Sequence, residues 1–293
     1  MPSFSSADRI GLDYHILDAS NNRISYLTSS SFANAPFTKV ILSNNELNSS
    51  TTSIPDNAFN GDEKSIFELD LSSNHLTSLP LALTHLSNIT MLDVTDNPIA
   101  YSTDFTYRAM KAMGDSMRDF RFGSQQLEEW PKTLNHFQQL QKLEVDGISS
   151  RLQVVPPEGF RGFETTLLEL NIHHTSLIGV PIGISKLRNL QTLHFDDNPY
   201  VKNRGVLVQS FPIFGTSHKL RELTLNNDGL TKFPEVIKYL RGLQSLSLDE
   251  NILDFVSDAN LLGNITINSL TLRNCKLSRV PGALSDLQLP NYP

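Results

Sequence analysis

The 293-residue sequence predicts an α/β solenoid, with one short strand per repeat forming a parallel sheet on a concave face. Short helices, 3₁₀ turns and loops are expected on the convex face. Three observations predict it: a frame of apolar positions that recurs along the chain, an asparagine at a fixed place in that frame, and a proline-headed apolar pattern behind several units.

The frame is clearest in Ile66-x-x-Leu69-x-Leu71-x-x-Asn74-x-Leu76, repeated at once as Ile89-x-x-Leu92-x-Val94-x-x-Asn97-x-Ile99. It fits again from Tyr14, Phe37, Met117, Leu140, Leu167, Leu190, Leu220, Leu243 and Ile267, making eleven units. The x-Leu-x-Leu-x segment alternates with period two, the signature of a strand with one buried face. Each unit is too small to bury that face alone, so neighbours must stack, and internal repetition of this length specifies a solenoid. Asn22, Asn45, Asn74, Asn97, Asn198 and Asn251 fill one column where the chain leaves the strand. Backbone groups buried in such a turn need partners, and an amide donates and accepts at once.

Leu79-Pro80 is followed by Leu83 and Leu86, and the arrangement returns at Trp130-Pro131, Val180-Pro181, Phe233-Pro234 and Val280-Pro281. A proline opening a short helical or 3₁₀ segment with apolar residues three apart suits the convex layer. The frames begin at 14, 37, 66, 89, 117, 140, 167, 190, 220, 243 and 267, so 23-residue units mostly alternate with longer ones. The additional residues follow the asparagine turn, for example over 102–116 and 202–219, and are expected on the convex side or the rim. Asp104 to Met113 reads as a helix ending at Gly114.

This frame resembles the leucine-rich-repeat family, which implies a horseshoe of eleven repeats across 1–293 as one domain, and a binding role. The short-long alternation, with Asn97-Pro98 and Asn198-Pro199 turns, is similar to the ectodomains of leucine-rich-repeat receptor-like kinases of microbial eukaryotes. Few residues precede Tyr14, and the chain stops where a twelfth unit would start, so uncapped ends and a longer parent protein are expected. The compartment follows that expectation: cytoplasmic if the chain is complete, extracellular if it is a piece of an ectodomain.

Composition narrows the function classes. A net charge of −7, with no basic run, disfavours nucleic acid as a partner. No apolar stretch approaches the roughly 20 residues of a membrane span, and the N-terminus lacks the pattern of a signal peptide. Cys275 is the single cysteine, which rules out an intrachain disulfide and weakly favours a reducing compartment. It sits in the asparagine column of the last unit, where a small buried side chain substitutes in the turn; the sequence predicts no nucleophile there. Sequons at Asn48, Asn88 and Asn264 are no more frequent than this composition gives by chance. Phosphate loops, His-Glu-x-x-His and Gly-x-Ser-x-Gly are missing, so neither catalysis nor a cofactor is expected.

His173, His174, His194, Asp196 and Asp197 form the one constellation with metal or acid–base chemistry. In the frame His173 and Asp196 share a column, with His194 beside them, so these three are expected to converge on the concave surface. Polar residues there more often meet solvent or a partner, and no metal is expected.

The variable strand positions line the concave face, because the leucines point inward. The central column reads Asp18, Ile41, Asp70, Asp93, Arg121, Glu144, Asn171, His194, Thr224, Ser247 and Thr271. Glu68, Asp96, Asp119, Arg118, Asp146 and Glu169 flank it. A protein or peptide offering basic or hydrogen-bonding groups complements this surface. The expected contact residues are Asp70, Asp93, Arg121, Glu144, Asn171, His173, His194 and Asp196. Units five to seven depart most from the frame: their asparagine column reads Gln125, Ile148 and Thr175. A two-residue insertion near 147–150, returning Ser150 and Leu152 to the asparagine and leucine positions, is expected to break the middle of the surface. The leading function is therefore a protein-binding recognition or scaffold module. The alternative is the ligand-binding part of a receptor-like kinase ectodomain whose catalytic domain lies outside this chain.

Overall fold

A computed structural model describes residues 14–29, 31–32, 37–61, 64–213, 219–253 and 267–279. The eleven frames become eleven strands of one parallel sheet, in chain order. They are β1 (Ile16–Asp18), β2 (Lys39–Ile41), β3 (Glu68–Asp70), β4 (Met91–Asp93), β5 (Asp119–Phe122) and β6 (Lys142–Asp146). β7 (Glu169–His173), β8 (Thr192–Asp196), β9 (Glu222–Thr224), β10 (Ser245–Ser247) and β11 (Ser269–Thr271) complete it. Register follows the frame without slippage: Leu69 faces Val40 and Leu92, and Leu223 faces Leu193 and Leu246. The frame leucines form one continuous core. A one-residue slip would turn every one of them to solvent, which is why the register is so uniform.

The asparagine column works as a ladder. Nδ2 of Asn74 donates to the carbonyls of Leu42, Leu71 and Ser72, while its Oδ1 accepts from the N–H of Leu47 in the preceding unit. Asn45, Asn97 and Asn251 repeat the pattern. Each side chain thus serves two units. The residue just before the column bends left-handed, at Asn21, Asn44, Ser73, Asp96, His174, Asp197, Asn227, Glu250 and Asn274. Short polar side chains tolerate that conformation best, and several pair along the stack, as Asn44 with Asn21 and Asn227 with Asp197.

Behind the sheet, prolines 80, 131, 181 and 234 each precede a five-residue 3₁₀ turn: Leu81–His85, Lys132–His136, Ile182–Lys186 and Glu235–Tyr239. Val280-Pro281 lies outside the described residues. These turns belong to 23-residue units. The longer units put other things in the same layer, chiefly α1 (Tyr107–Met113), packed against the 3₁₀ turns on both sides, and the short α2 (Lys202–Gly205). The alternation of lengths is thus an alternation of backs.

α1 is shorter than the sequence predicts, since Ser102–Asp104 is a separate 3₁₀ turn closed by Asp104 onto the N–H groups of Ala100 and Tyr101. Gly114 does end the helix, but in right-handed conformation, φ −55°. Its requirement is space: a Cβ there would lie 2.5 Å from the His136 carbonyl oxygen.

The middle units carry rings where the others carry leucine. Phe105, Phe120, Phe122, Phe137, Trp130, Phe160 and Phe163 form a chain of edge and stacked contacts, and Trp130 Nε1 donates to the Gly159 carbonyl. The predicted two-residue shift does not occur before the column. Ile148 itself occupies the asparagine position, fully buried, and the backbone N–H of Ser149 donates to the Leu127 carbonyl as that of His75 does to Leu47. Ser150 is exposed. The additional residues are absorbed after the turn, where Leu152 returns to the core.

Candidate functional site

The central column assembles as the frame requires. Asp70 pairs in register with Asp93, Asp93 with Arg121, Arg121 with Glu144, Glu144 with Asn171, and Asn171 with His194. One column over, His173 stands beside Asp196. Adjacent strands are about 4.8 Å apart, so these side chains form an unbroken row.

The row is less nakedly acidic than its letters suggest. Asp70 Oδ1 accepts from both the N–H and the hydroxyl of Ser72, and Asp93 Oδ1 does the same with Thr95. Asp18 and Ser20 repeat it, so Asp-x-Ser/Thr is a strand-exit device that spends one carboxylate oxygen on the turn. Burial pushes the Asp93 carboxyl up to about 6, against the hydrogen bonds from Thr95 and the charge of Arg121.

Arg121 is the hub of the first half. Its guanidinium grips Asp119 through Nε and Nη2, at 3.1 and 2.8 Å, and lies within 4.0 Å of Asp93 and 3.8 Å of Glu144. The Asp119 hydrogen bond is the largest of the effects that hold it charged. Lys39 pairs with Glu68 and Lys142 with Glu169 across neighbouring strands. These lateral pairs come from flanking columns.

The histidines do not converge. His173 Nδ1 is 3.9 Å from Asp196, His174 Nδ1 is 2.8 Å from Asp146 and its Nε2 3.6 Å from Asp197, and His194 Nε2 is 3.4 Å from Glu222. His174 belongs to the left-handed ladder, and the Asp146 hydrogen bond holds its imidazole above the usual pKa. Asp196 is occupied by the next unit, accepting from the Thr224 hydroxyl and the Asn226 N–H. The expected meeting of His173, Asp196 and His194 is thus replaced by separate pairs. Among the described residues no group of three or more His, Cys, Asp and Glu side chains is arranged to hold a metal.

Asn171 is the least exposed member of the row, at 5%. Its Nδ2 donates to Glu169 Oε1 at 2.9 Å, and its Oδ1 is buried without a donor. Burial works against ionisation of Glu169, but the bonds from Lys142 and Asn171 outweigh it and keep that carboxyl below its ordinary pKa.

Two column positions have chemistry of their own. Cys275 is buried, its Sγ donating toward the Leu248 carbonyl at 3.1 Å, the place of an asparagine Nδ2; burial pushes its thiol pKa up, away from the reactive thiolate. Asp228 fills the column in the ninth unit, fully buried. Its Oδ1 accepts from the Asn198 N–H at 3.0 Å, and its Oδ2 is buried without a donor, where neighbouring asparagines carry an NH₂. Burial pushes this carboxyl up to about 9. The signal was present in Leu220-x-x-Leu223-x-Leu225-x-x-Asp228, where an acid stands for the amide.

A family profile described as leucine rich repeat matches residues 38–99, from β2 through β4. The fold is a leucine-rich-repeat solenoid. Chaoptin of Tribolium castaneum is 33% identical over 147 residues, half of this chain but only 16% of chaoptin. Among solved structures, a TDR receptor superposes with TM-score 0.54 and 19% identity, over 96% of this chain and 46% of the receptor. A structure of a TLR13–ssRNA13 complex superposes with TM-score 0.53 and 16% identity, over 93% of this chain and 45% of that one. At these identities the superpositions show the fold. The repeat chain spans less than half of either solved protein. Leucine-rich-repeat domains are typically ligand-binding modules that present an extended concave surface. Among the described residues, no helix is long and apolar enough to cross a membrane.

Proposed function

We propose that this leucine-rich-repeat chain is a non-catalytic recognition module that holds a protein or peptide on its sheet face. The observation that carries this reading is the continuous row from Asp70 to His194, in which Asp70, Asp93, Arg121 and Asn171 are each held by a residue two places away in the same unit. Preorganised polar side chains bind with less ordering cost than free ones. The contact set is Asp70, Asp93, Arg121, Glu144, Asn171, His173, His194 and Asp196. A peptide is favoured over nucleic acid because the row offers carboxylates and its arginine is already gripped by Asp119, leaving little to neutralise phosphates.

A photo-crosslinking residue at position 144, on the sheet face, should capture partner protein, while one at position 182, exposed on the back, should not. Equal capture from both positions removes the sheet face from the proposal.

The two-unit alternation favours a second placement of the same module, in the ectodomain of a receptor-like kinase. A Gly-rich loop and a His-Arg-Asp motif in a longer transcript would support it, and a full-length transcript lacking both would refute it.

A further inference from the structure

We infer that the β7–β9 stretch of the sheet face seats a cationic side chain of the peptide partner, between Asn171 and Glu222. The inference rests on the sheet-face reading above and names the chemistry of its ligand.

Asn171 carries the argument. A carbonyl oxygen buried without a donor is destabilising, and regular repeats give no folding reason to bear that cost on an outward-facing position. Leu170 and Ile172 point into the core, so by alternation Asn171 points to the sheet face. Its amide nitrogen is committed to Glu169, which leaves Oδ1 as an acceptor awaiting a donor.

The surroundings decide the charge of that donor. The next register position is His194, whose Nε2 lies 3.4 Å from Glu222 Oε1 but is not aligned for a hydrogen bond. Glu222 is half-exposed, and among the described residues the His194 ring is the one basic group placed against it. Glu144, Glu169 and Asp196 face the same stretch. The nearby cations are spent, Lys142 on Glu169 at 2.7 Å and Arg121 on Asp119. A neutral donor would satisfy Asn171 and leave the excess of carboxylate. A guanidinium or ammonium group, which only donates, answers both. Rotation of the partly exposed His194 ring opens the approach, a rearrangement of the size that interfaces commonly make.

The test uses short random peptides displayed on phage and panned against the chain. Arginine and lysine should be enriched among captured peptides. A synthetic copy of a selected peptide should lose roughly tenfold or more in affinity when its arginine becomes the neutral isostere citrulline. Glu222→Gln, at an exposed position that leaves the core untouched, should cause a similar loss, as should Asn171→Leu once circular dichroism shows it folded. Basic peptides bound equally well by both variants would overturn the assignment. Captured peptides without basic enrichment, yet lost on Glu144→Lys, would overturn it while leaving the sheet-face reading intact. Peptides indifferent to every sheet-face substitution would overturn both.

Discussion

Replacing Asp228 by asparagine should stabilise this protein at neutral pH, because the native carboxyl is held in a place built for an amide. Its Oδ1 accepts the Asn198 N–H, and the buried Oδ2 has no donor, so the side chain fits its site only with a proton on that second oxygen. The pKa accordingly rises from 3.8 to about 9, chiefly through burial. With the folded value above the unfolded one, the stabilising contribution is complete below pH 3.8 and is lost as pH rises toward 9. In that window the native state keeps a proton that the unfolded chain has released, and stability falls by about 1.4 kcal/mol per pH unit. Between about pH 4 and pH 7 the loss amounts to roughly 4 kcal/mol. Asparagine has nothing to titrate, and its NH₂ can donate as Asn251 does to Leu225 and Leu248. Urea unfolding followed by circular dichroism over a pH series reads the difference between the two curves, in which every other titrating group cancels. The difference should be small near pH 4 and widen with pH until about 9. A variant that is less stable at pH 7, or whose curve runs parallel to the native one, would refute the reasoning.

Two further substitutions test the packing of the stack. Asn74→Ala removes donors to three carbonyls and the acceptor of the Leu47 N–H, so it should cost several times the 1–3 kcal/mol of one buried unsatisfied group, and amide exchange at Leu47 should accelerate in the preceding unit. Protection at Leu47 equal to that of the native chain would show that the ladder does not couple the units. Gly114→Ala pushes a methyl group into the His136 carbonyl oxygen and should cost about 1–3 kcal/mol in urea unfolding, whereas an unchanged or raised midpoint, as helix propensity alone predicts, would show that the close approach is not needed.

The sheet was legible because it depends on a rule repeated in each described strand: apolar frame positions turned to the core side, period two, one strand per unit. The pairing of Asn171 with His194 and of His173 with Asp196 could therefore be read before any coordinates. The state of those side chains could not. Whether His194 turns toward Asp196 or Glu222 depends on rotamers and on the Thr224 and Asn226 donors that claim Asp196 first, and these come from a unit 30 residues away. Asp70 and Asp93 read as free charges in the repeat frame because the Asp-x-Ser/Thr turn that engages one carboxylate oxygen is a local side-chain bond outside that frame. The break in the middle units lies after the turn, not before the column. Frame matching favours restoring the polar residue to the column, but Ile148 is accepted there fully buried, and the surplus residues go to the loop that follows.

The alternating backs bear on how such an array grows or shrinks. A 3₁₀ turn such as Leu81–His85 is shaped to sit against α1, and α1 against the next turn, Lys132–His136. Deleting one unit would preserve the sheet register and the asparagine ladder, yet set two like backs face to face with nothing between them. Deleting a short unit together with the long one after it would join surfaces that already fit. The module that can be duplicated, lost or grafted without repacking is thus the pair, and a shortened or lengthened relative of this protein should differ from it by even numbers of strands.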